Sequence, residues 1–398
     1  MSAFKQQSDL KFNNLKGVCT MIRQHGPISR IQLAKLSGLS ATSMTRMISE
    51  LTEHEIVRAV SEKNAGHGSG GRPSVMLELC AEKAYSLNLD IEGSCVRTSI
   101  MDLTHRFVVY RELIILPRND SFVDVAQRIL DAFEEMTGFA KIDKQLVKCC
   151  GLTIGAHVDS ENGIIVASSK FKWYDVNAKE ILEEMLQMPV ILENDCKAAL
   201  YGERILLAAG GKTSNNIAYL EMGIEGVGSA VIIDGHLLRG SFNGAGEIGH
   251  MTAVPDGELC NCGRRGCFET VLTEKFVLKR ATNLDIGFNT IESVAAAVGN
   301  GDKKVVPLID ELGKYIAIAI NDISCAYNPE IIILNGPIIQ KNVIPLHHIQ
   351  QDMEKYLMHS IQPKLQVMTA RMGANASLYG IGCMATDFMV EDFLRELL

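Results

Sequence analysis

Gly244-Ala245-Gly246-Glu247-Ile248-Gly249-His250-Met251, followed by Cys260-Asn261-Cys262-Gly263-Arg264-Arg265-Gly266-Cys267 and then Glu269, is the most informative stretch of this 398-residue chain. Three thiolates and the imidazole of His250, ten residues before the first of them, make four soft or borderline ligands. Glycines between close cysteines let the backbone wrap a small tetrahedral ion. Zinc suits that set. Four protein ligands, His250, Cys260, Cys262 and Cys267, leave no open position, so the expected role of the ion is structural. The other eight of the eleven cysteines are scattered through apolar or mixed segments. That distribution favours reduced thiols over a disulfide framework.

Working outward toward the N-terminus, Ile217 to Met222 reads as a strand that leads through Gly223–Ser229 into Ala230–Ile233. Asp234-Gly235 is a hairpin signal before His236 to Leu238. A similar unit stands upstream. Tyr85, Leu87, Leu89 and Ile91 alternate with polar residues, and strands at Val96 to Met101 and Phe107 to Leu116 continue the meander. A helix from about Val123 to Thr137, a strand at Val147 to Ile154, a helix at Ala178 to Leu186 and a buried strand at Val190 to Leu192 complete it. Downstream, Tyr315 to Cys325 reads as helix, Ile331 to Leu334 as strand, and the end from Ala376 as helix. Two α/β lobes of similar plan predict a cleft between them. Glu193, Asn194 and Asp195, directly after a buried strand, Glu247, three residues before His250, and Glu269, two after Cys267, are polar groups suited to sugar hydroxyls, and Asn194 can both donate and accept. Position alone leaves ordinary loop carboxylates and a helix cap at Asn194 open.

The N-terminal part has a different charge. Met1 to Cys80 holds 10 basic and 6 acidic residues, a balance of +4 against −8 for the whole chain, which leaves −12 for the rest. A basic module on an acidic body predicts that only the module meets a polyanion such as DNA. Leu15, Val18, Cys19 and Ile22 follow helical spacing up to Gly26-Pro27. Ser29 caps a second helix from about Arg30 to Ser37, Gly38 supplies a turn, and Ser40 caps a third helix with Met44, Met47, Ile48 and Leu51 inside. This is the helix-turn-helix pattern. Thr42, Ser43, Thr45 and Arg46 are the expected DNA contacts, with Arg72 on a glycine-rich wing. A plain three-helix bundle shares the spacing, and the wing and the local charge favour double-stranded operator DNA. No apolar run approaches the ~18–20 residues of a membrane span, and Met1 to Leu15 lacks a signal-peptide core, so the expected location is the cytoplasm, away from membranes.

The run Gly244–Met251 with the Cys-x-Cys-Gly-x-x-Gly-Cys-x-Glu stretch closely resembles the signature of the ROK family of repressors, open reading frames and sugar kinases. Glu193-Asn194-Asp195 with Ala198, Ala199 and Gly202-Glu203 resembles the family's sugar-site segment, and the N-terminal module that of its repressor branch. The resemblance covers nearly the whole chain. It implies a winged helix-turn-helix over residues 1–79 and a two-lobed actin-like, ribonuclease-H-like ATPase fold beyond it. The lobes are expected over 80–195 and 196–398, with the last helix packing back on the first lobe. It further implies zinc on His250, Cys260, Cys262 and Cys267, and a sugar or sugar phosphate against Asn194, Asp195, Glu247, His250 and Glu269. Because one DNA-binding module reads few base pairs, a homodimer or homotetramer is expected.

Kinases of that family use an aspartate as general base, and Asp195 stands at that position. Their phosphate loops are altered here. Asp90-Ile91-Glu92-Gly93-Ser94 replaces Asp-x-Gly-Gly-Thr, Gly155-Ala156-His157 replaces Pro-Gly-Pro, and Gly223-Ile224-Glu225-Gly226-Val227-Gly228-Ser229 replaces a barer glycine turn. A carboxylate ~4 Å from a phosphate costs about 4 kcal/mol at an effective dielectric of 20. The reading is therefore a sugar-responsive repressor without catalysis, the alternative being a sugar kinase with a fused DNA-binding arm.

Overall fold

The computed structural model describes residues 2–60, 75–115, 119–283, 288–361 and 363–398. Helix α1 (Ser2–His25) buries Leu15, Val18, Cys19 and Ile22. After β1 (Ile28–Ser29), Ser29 and Gln32 form a reciprocal capping box that starts α2 (Arg30–Ser37), and Gly38 ends it in the left-handed region. Ser40 caps α3 (Ala41–Glu53), whose inner face is Met44, Met47, Ile48 and Leu51. Strands β2 (Val57–Val60) and β3 (Met76–Leu79) pair antiparallel, with β1 on the other edge of β3. This is the winged arrangement expected. The glycine-rich stretch with Arg72 lies outside the described residues.

The first lobe contains β4 (Tyr85–Glu92), β5 (Cys95–Asp102), β6 (Phe107–Ile114), α4 (Phe122–Ala140), β7 (Val147–Ile154), β8 (His157–Asp159), β9 (Ile164–Ser168), β10 (Trp173–Val176), α5 (Ala178–Leu186) and β11 (Val190–Asn194). Helix α6 (Asp195–Ala209) follows β11 without a break. In the second lobe come β12 (Ile217–Met222), β13 (Val227–Ile233), β14 (His236–Leu237), α7 (Glu274–Asn283), α8 (Ile291–Gly299), α9 (Val306–Tyr327), β15 (Ile331–Asn335), α10 (Pro337–Gln340), α11 (Leu346–Tyr356), β16 (Gln366–Thr369) and α12 (Ala376–Arg395).

The main sheets run β11-β7-β4-β5-β6 and β14-β13-β12-β15-β16. Each is an antiparallel meander of three strands with two parallel strands added beside its first strand, so the two lobes share one topology. That repetition is the actin-like, ribonuclease-H-like plan. The small antiparallel sheet β10-β9-β8 was not anticipated. Helix α12 packs on β4, β7 and α6, and its Ala385, Met389, Val390 and Leu394 share one apolar cluster with Leu15, Val18, Ile22, Leu51 and Leu77 of the N-terminal module. The last helix thus joins that module to the body through buried apolar surface, which is worth about 25 cal/mol per Å² removed from water.

Candidate functional site

The junction of β11 and α6 sets one wall of the interlobe cleft. Asn194 is the cap of α6: its carbonyl oxygen accepts from the backbone N–H of Cys196 (3.1 Å) and Lys197 (3.3 Å), and its amide donates to the Ala156 carbonyl (3.3 Å). The capping alternative is therefore realised, and the amide is held rigid by its own backbone contacts. Asp195 accepts from the Cys196 N–H at 2.8 Å. Its other oxygen lies 2.8 Å from where a Cβ on Gly155 would stand, so only bare backbone fits beside it. Enclosure in the cleft raises the Asp195 pKa; the Cys196 N–H works against that rise, and the charges of Glu92 and Glu247 add to it. Buried Glu193 accepts from Ser160 Oγ (2.9 Å), Arg239 Nη2 (2.6 Å) and the Asn194 N–H (2.9 Å).

The facing wall is built around the start of β13. A Cβ on Gly228 would come within 2.4 Å of Cys196 Sγ, and one on Gly249 within 1.9 Å of the Val227 carbonyl. A Cβ on Gly226 would stand 3.6 Å from Glu269 Oε2. These approaches gather Asp195, the Glu247–His250 turn and Glu269 at one end of one strand. Glu247, which precedes the short helical turn Ile248–His250, is exposed. Behind it, the ligand atoms of His250, Cys260, Cys262 and Cys267 all lie within 4.8 Å of one another. His250 Nδ1 is 3.7 Å from Cys260 Sγ, and Cys262 Sγ is 3.7 Å from Cys267 Sγ. Four ligands held ~2.0–2.3 Å from a central ion have edges of about 3.5–3.8 Å, so the group can hold a tetrahedral metal. Gly266, at φ 72°, allows the return of this loop, since a Cβ there would stand 1.6 Å from the Val254 carbonyl. Cys260 Sγ also lies 3.3 Å from Glu269 Oε1, so that carboxylate sits beside the cluster; the thiol donates to it only while it keeps its proton, not as a metal-bound thiolate. None of the eleven cysteines is in a disulfide.

At the Asp90–Ser94 turn, the structure revises the electrostatic reading of Glu92. Its carboxylate is not an unpaired charge. Arg97 Nη2 donates to Glu92 Oε2 (2.5 Å) and Asp90 Oδ2 (2.6 Å), and its other amino group donates to the Ala374 carbonyl. Ser377 Oγ, in the first turn of α12, donates to the same Asp90 oxygen at 2.6 Å. An internal ion network occupies the turn instead of bare N–H groups. Glu221 on β12 accepts from Tyr219 OH (2.6 Å) and Asn335 Nδ2 (2.9 Å). Burial, with the charges of Glu92 and Asp195, pushes its pKa up to about 8 despite those donors.

The ROK family model matches residues 89–387, and the MarR family model matches residues 18–63. The chain belongs to the ROK family. A xylose repressor of Bacillus spizizenii is 27% identical over 98% of this chain and 97% of its own length. A glucokinase of Halalkalibacterium halodurans is 28% identical over 75% of this chain and 94% of its own length. Among solved structures, a ROK family transcriptional regulator, a homologue of the Escherichia coli Mlc protein, superposes with a TM-score of 0.80 at 25% identity, covering 98% of this chain and 99% of that one.

This ROK protein therefore carries a body of the kinase fold and an N-terminal MarR-type module. On that module Thr42, Ser43, Thr45 and Arg46 are all exposed, and a shallow 480 Å³ cavity is lined by Ala41, Thr42, Thr45 and Arg46. Ser43 Oγ accepts from Ser40 Oγ (2.9 Å) and Thr45 Oγ1 donates to the Ala41 carbonyl (2.8 Å), so both hydroxyls are oriented by their own helix. A chain of half-buried contacts runs from the helix at the cleft to this module. Tyr201, on the helix that Asn194 caps, donates to Asp387 of α12 at 2.5 Å, and Asp387 pairs with Arg23 of α1, which also donates to the Leu103 carbonyl (3.0 Å). Sequence reasoning missed this relay, the Arg97 network and Glu221. The hairpin turn Gly93-Ser94 carries a signal for one of them, because it sets Glu92 opposite Cys95 and therefore Asp90 opposite Arg97.

Proposed function

We propose that this protein is a sugar-responsive transcriptional repressor without kinase activity. Residues 1–79 bind operator DNA, and the lobes 80–195 and 196–398 sense the sugar. The observation that carries this reading is the contrast inside the cleft: Asn194, Asp195, Glu247, His250 and Glu269 remain gathered, while Arg97, Glu92 and Asp90 fill the phosphate side with their own ion pairs. The ROK body, the MarR-type module and the names of the relatives support it. Xylose repressors are among those relatives, and glucokinases share the fold and stand as the alternative.

In this reading zinc on His250, Cys260, Cys262 and Cys267 is structural and places Glu269, and the protein works in the cytoplasm. Among the described residues no helix is long and apolar enough to cross a membrane. Thr42, Ser43, Thr45, Arg46 and the wing residue Arg72 meet the major groove and the adjacent backbone, and a homodimer or homotetramer spans a roughly palindromic site. A sugar bonded from both walls favours a closed pair of lobes, and a tenfold preference for that state is ~1.4 kcal/mol. Closure re-aims the N-terminal modules and releases operator.

The test is a mobility-shift titration with a sugar panel, run beside an ATP-dependent phosphorylation assay. Asp195→Asn keeps the shape and removes a charged acceptor; sugar-free operator affinity should stay within about twofold while release by sugar needs ten- to a hundredfold more ligand, ~1.4–2.7 kcal/mol of lost binding. Sugar phosphorylation by the wild type that Asp195→Asn abolishes would favour the kinase instead.

A further inference from the structure

Between the loop 157–162 of the first lobe and the loop 239–243 of the second lies a cavity of 780 Å³, within the ~300–1,000 Å³ of ordinary ligand sites. Both walls are built. On one, the Asp159 carboxylate accepts from the backbone N–H of Glu161 and Asn162 (3.1 Å each) and from Asn162 Nδ2 (2.7 Å), which fixes the turn. On the other, Arg239 is tied to Glu193, the Phe242 carbonyl faces His157 Nε2 at 2.7 Å, and the Asn243 carbonyl accepts from Lys197 Nζ at 2.5 Å.

Ser160 and Arg239, which line the cavity, both end on Glu193, and Glu193 immediately precedes the Asn194–Asp195 pair. Asn194 also donates to the Ala156 carbonyl, next to His157 of the lining, so the cavity walls adjoin the residues of the proposed sugar site along the chain and come from both lobes. The cavity lining includes Phe242, which is 84% exposed although the backbone around it is anchored. An aromatic face flanked by carboxylate, amide and hydroxyl groups matches a pyranose ring, which has one apolar C–H face and hydroxyls round its edge. The charges select among sugars. Asp159 and Glu161 are acidic, and the guanidinium of Arg239 is already met by Glu193, so the lining repels a phosphate and accepts a neutral ring.

We propose that this cavity is a subsite for a second, uncharged sugar ring, so that the effector is a disaccharide or longer glycoside. One ring enters the Asn194–Asp195 site, and its neighbour lies against Phe242. The proposal rests on the sugar-sensor reading and narrows it, since it sets sugar phosphates aside.

Calorimetric titration of the full chain with xylose and xylobiose, glucose, cellobiose and maltose, and glucose 6-phosphate tests it. At least one disaccharide should bind about tenfold more tightly than its own monosaccharide. Phe242→Ala should remove that gain while moving the monosaccharide affinity less than twofold, and Phe242→Tyr should keep it. Equal affinities for one ring and two, or a Phe242→Ala loss shared by both, would overturn the subsite and leave a one-ring sensor standing. Tighter binding of glucose 6-phosphate than of any disaccharide would overturn it through the charge argument. Binding of no probe would remove the sugar-sensor reading and the subsite together.

Discussion

Glu221 projects from β12 toward carboxylates of the opposite lobe, and its protonation links the cleft to pH. Its pKa lies near 8 in the folded chain against 4.5 for an unperturbed glutamate. Between those values the native state holds a proton that the unfolded chain has released, so stability falls as pH rises from about 4.5 to 8 and is lower above that range. Glu221→Gln removes this term. Because the group still meets cleft water, the discounted gain is roughly 1–3 kcal/mol at pH 8.5 relative to pH 5. Denaturant melts of both proteins at the two pH values read it directly; parallel pH dependence in variant and wild type would rule it out. Asp90 and Arg97 were within reach of the sequence, since a two-residue turn fixes their register. Glu221 was not, because its neighbours Glu92 and Asp195 come from the other lobe.

The loop from Leu259 to Phe268 is the element where sequence and structure agree most closely. Close cysteines, two glycines with positive φ and an upstream histidine suffice to bring four ligand atoms together. Loss of one thiolate under-coordinates the ion and frees the loop that carries Glu269, so Cys262→Ala should fall from about one zinc per chain to near none after dialysis, and the sugar response should weaken with it. Elemental analysis of protein purified without chelator decides this, and finding no zinc in the wild type would end the assignment. The sheet β8-β9-β10 behaves differently. Its strands are three to five residues long and are separated by turns such as Lys170-Phe171-Lys172, so no window is long enough to show a period of two. It is this sheet that carries the loop 157–162 to the mouth of the cleft.

At the scale of the molecule, polar contacts connect the helix that starts at the cleft to the DNA-binding module. Helix α6 starts at the Asn194 cap, and Tyr201 lies about 10.5 Å further along its axis at ~1.5 Å per residue. From there the path runs through Asp387 to Arg23, whose side chain is 8% exposed. Burial works against ionisation of Asp387, yet the Arg23 charge and the Tyr201 hydroxyl hold its pKa below the usual value. His105, shut away beside the Arg23 charge, has its own pKa lowered to about 3 and stays neutral. Tyr201→Phe deletes one hydrogen bond to a charged group, worth about 1.5–3 kcal/mol of stability. Sugar affinity should stay within twofold, and the sugar concentration needed to release operator should rise several-fold. Release at the wild-type concentration would show that the signal bypasses this contact.

The sequence alone determined what depends on neighbours along the chain. Caps at Ser29 and Ser40, the inner face of α3, the alternation of β4 and the spacing of the metal ligands are all set by contacts within a few residues or by a repeating period. The two matching lobes followed, because each meander announces its own turns. Tertiary structure decided what the lobes do to each other. It joined Arg97 to Ala374 and Asp90 to Ser377, raised Glu221, and seated α12 against both α1 and the first sheet. It also closed the 239–243 loop onto Glu193, His157 and Lys197. Those partners lie tens to hundreds of residues apart, and a Coulomb or hydrogen-bond partner at that separation leaves no periodic mark in the sequence.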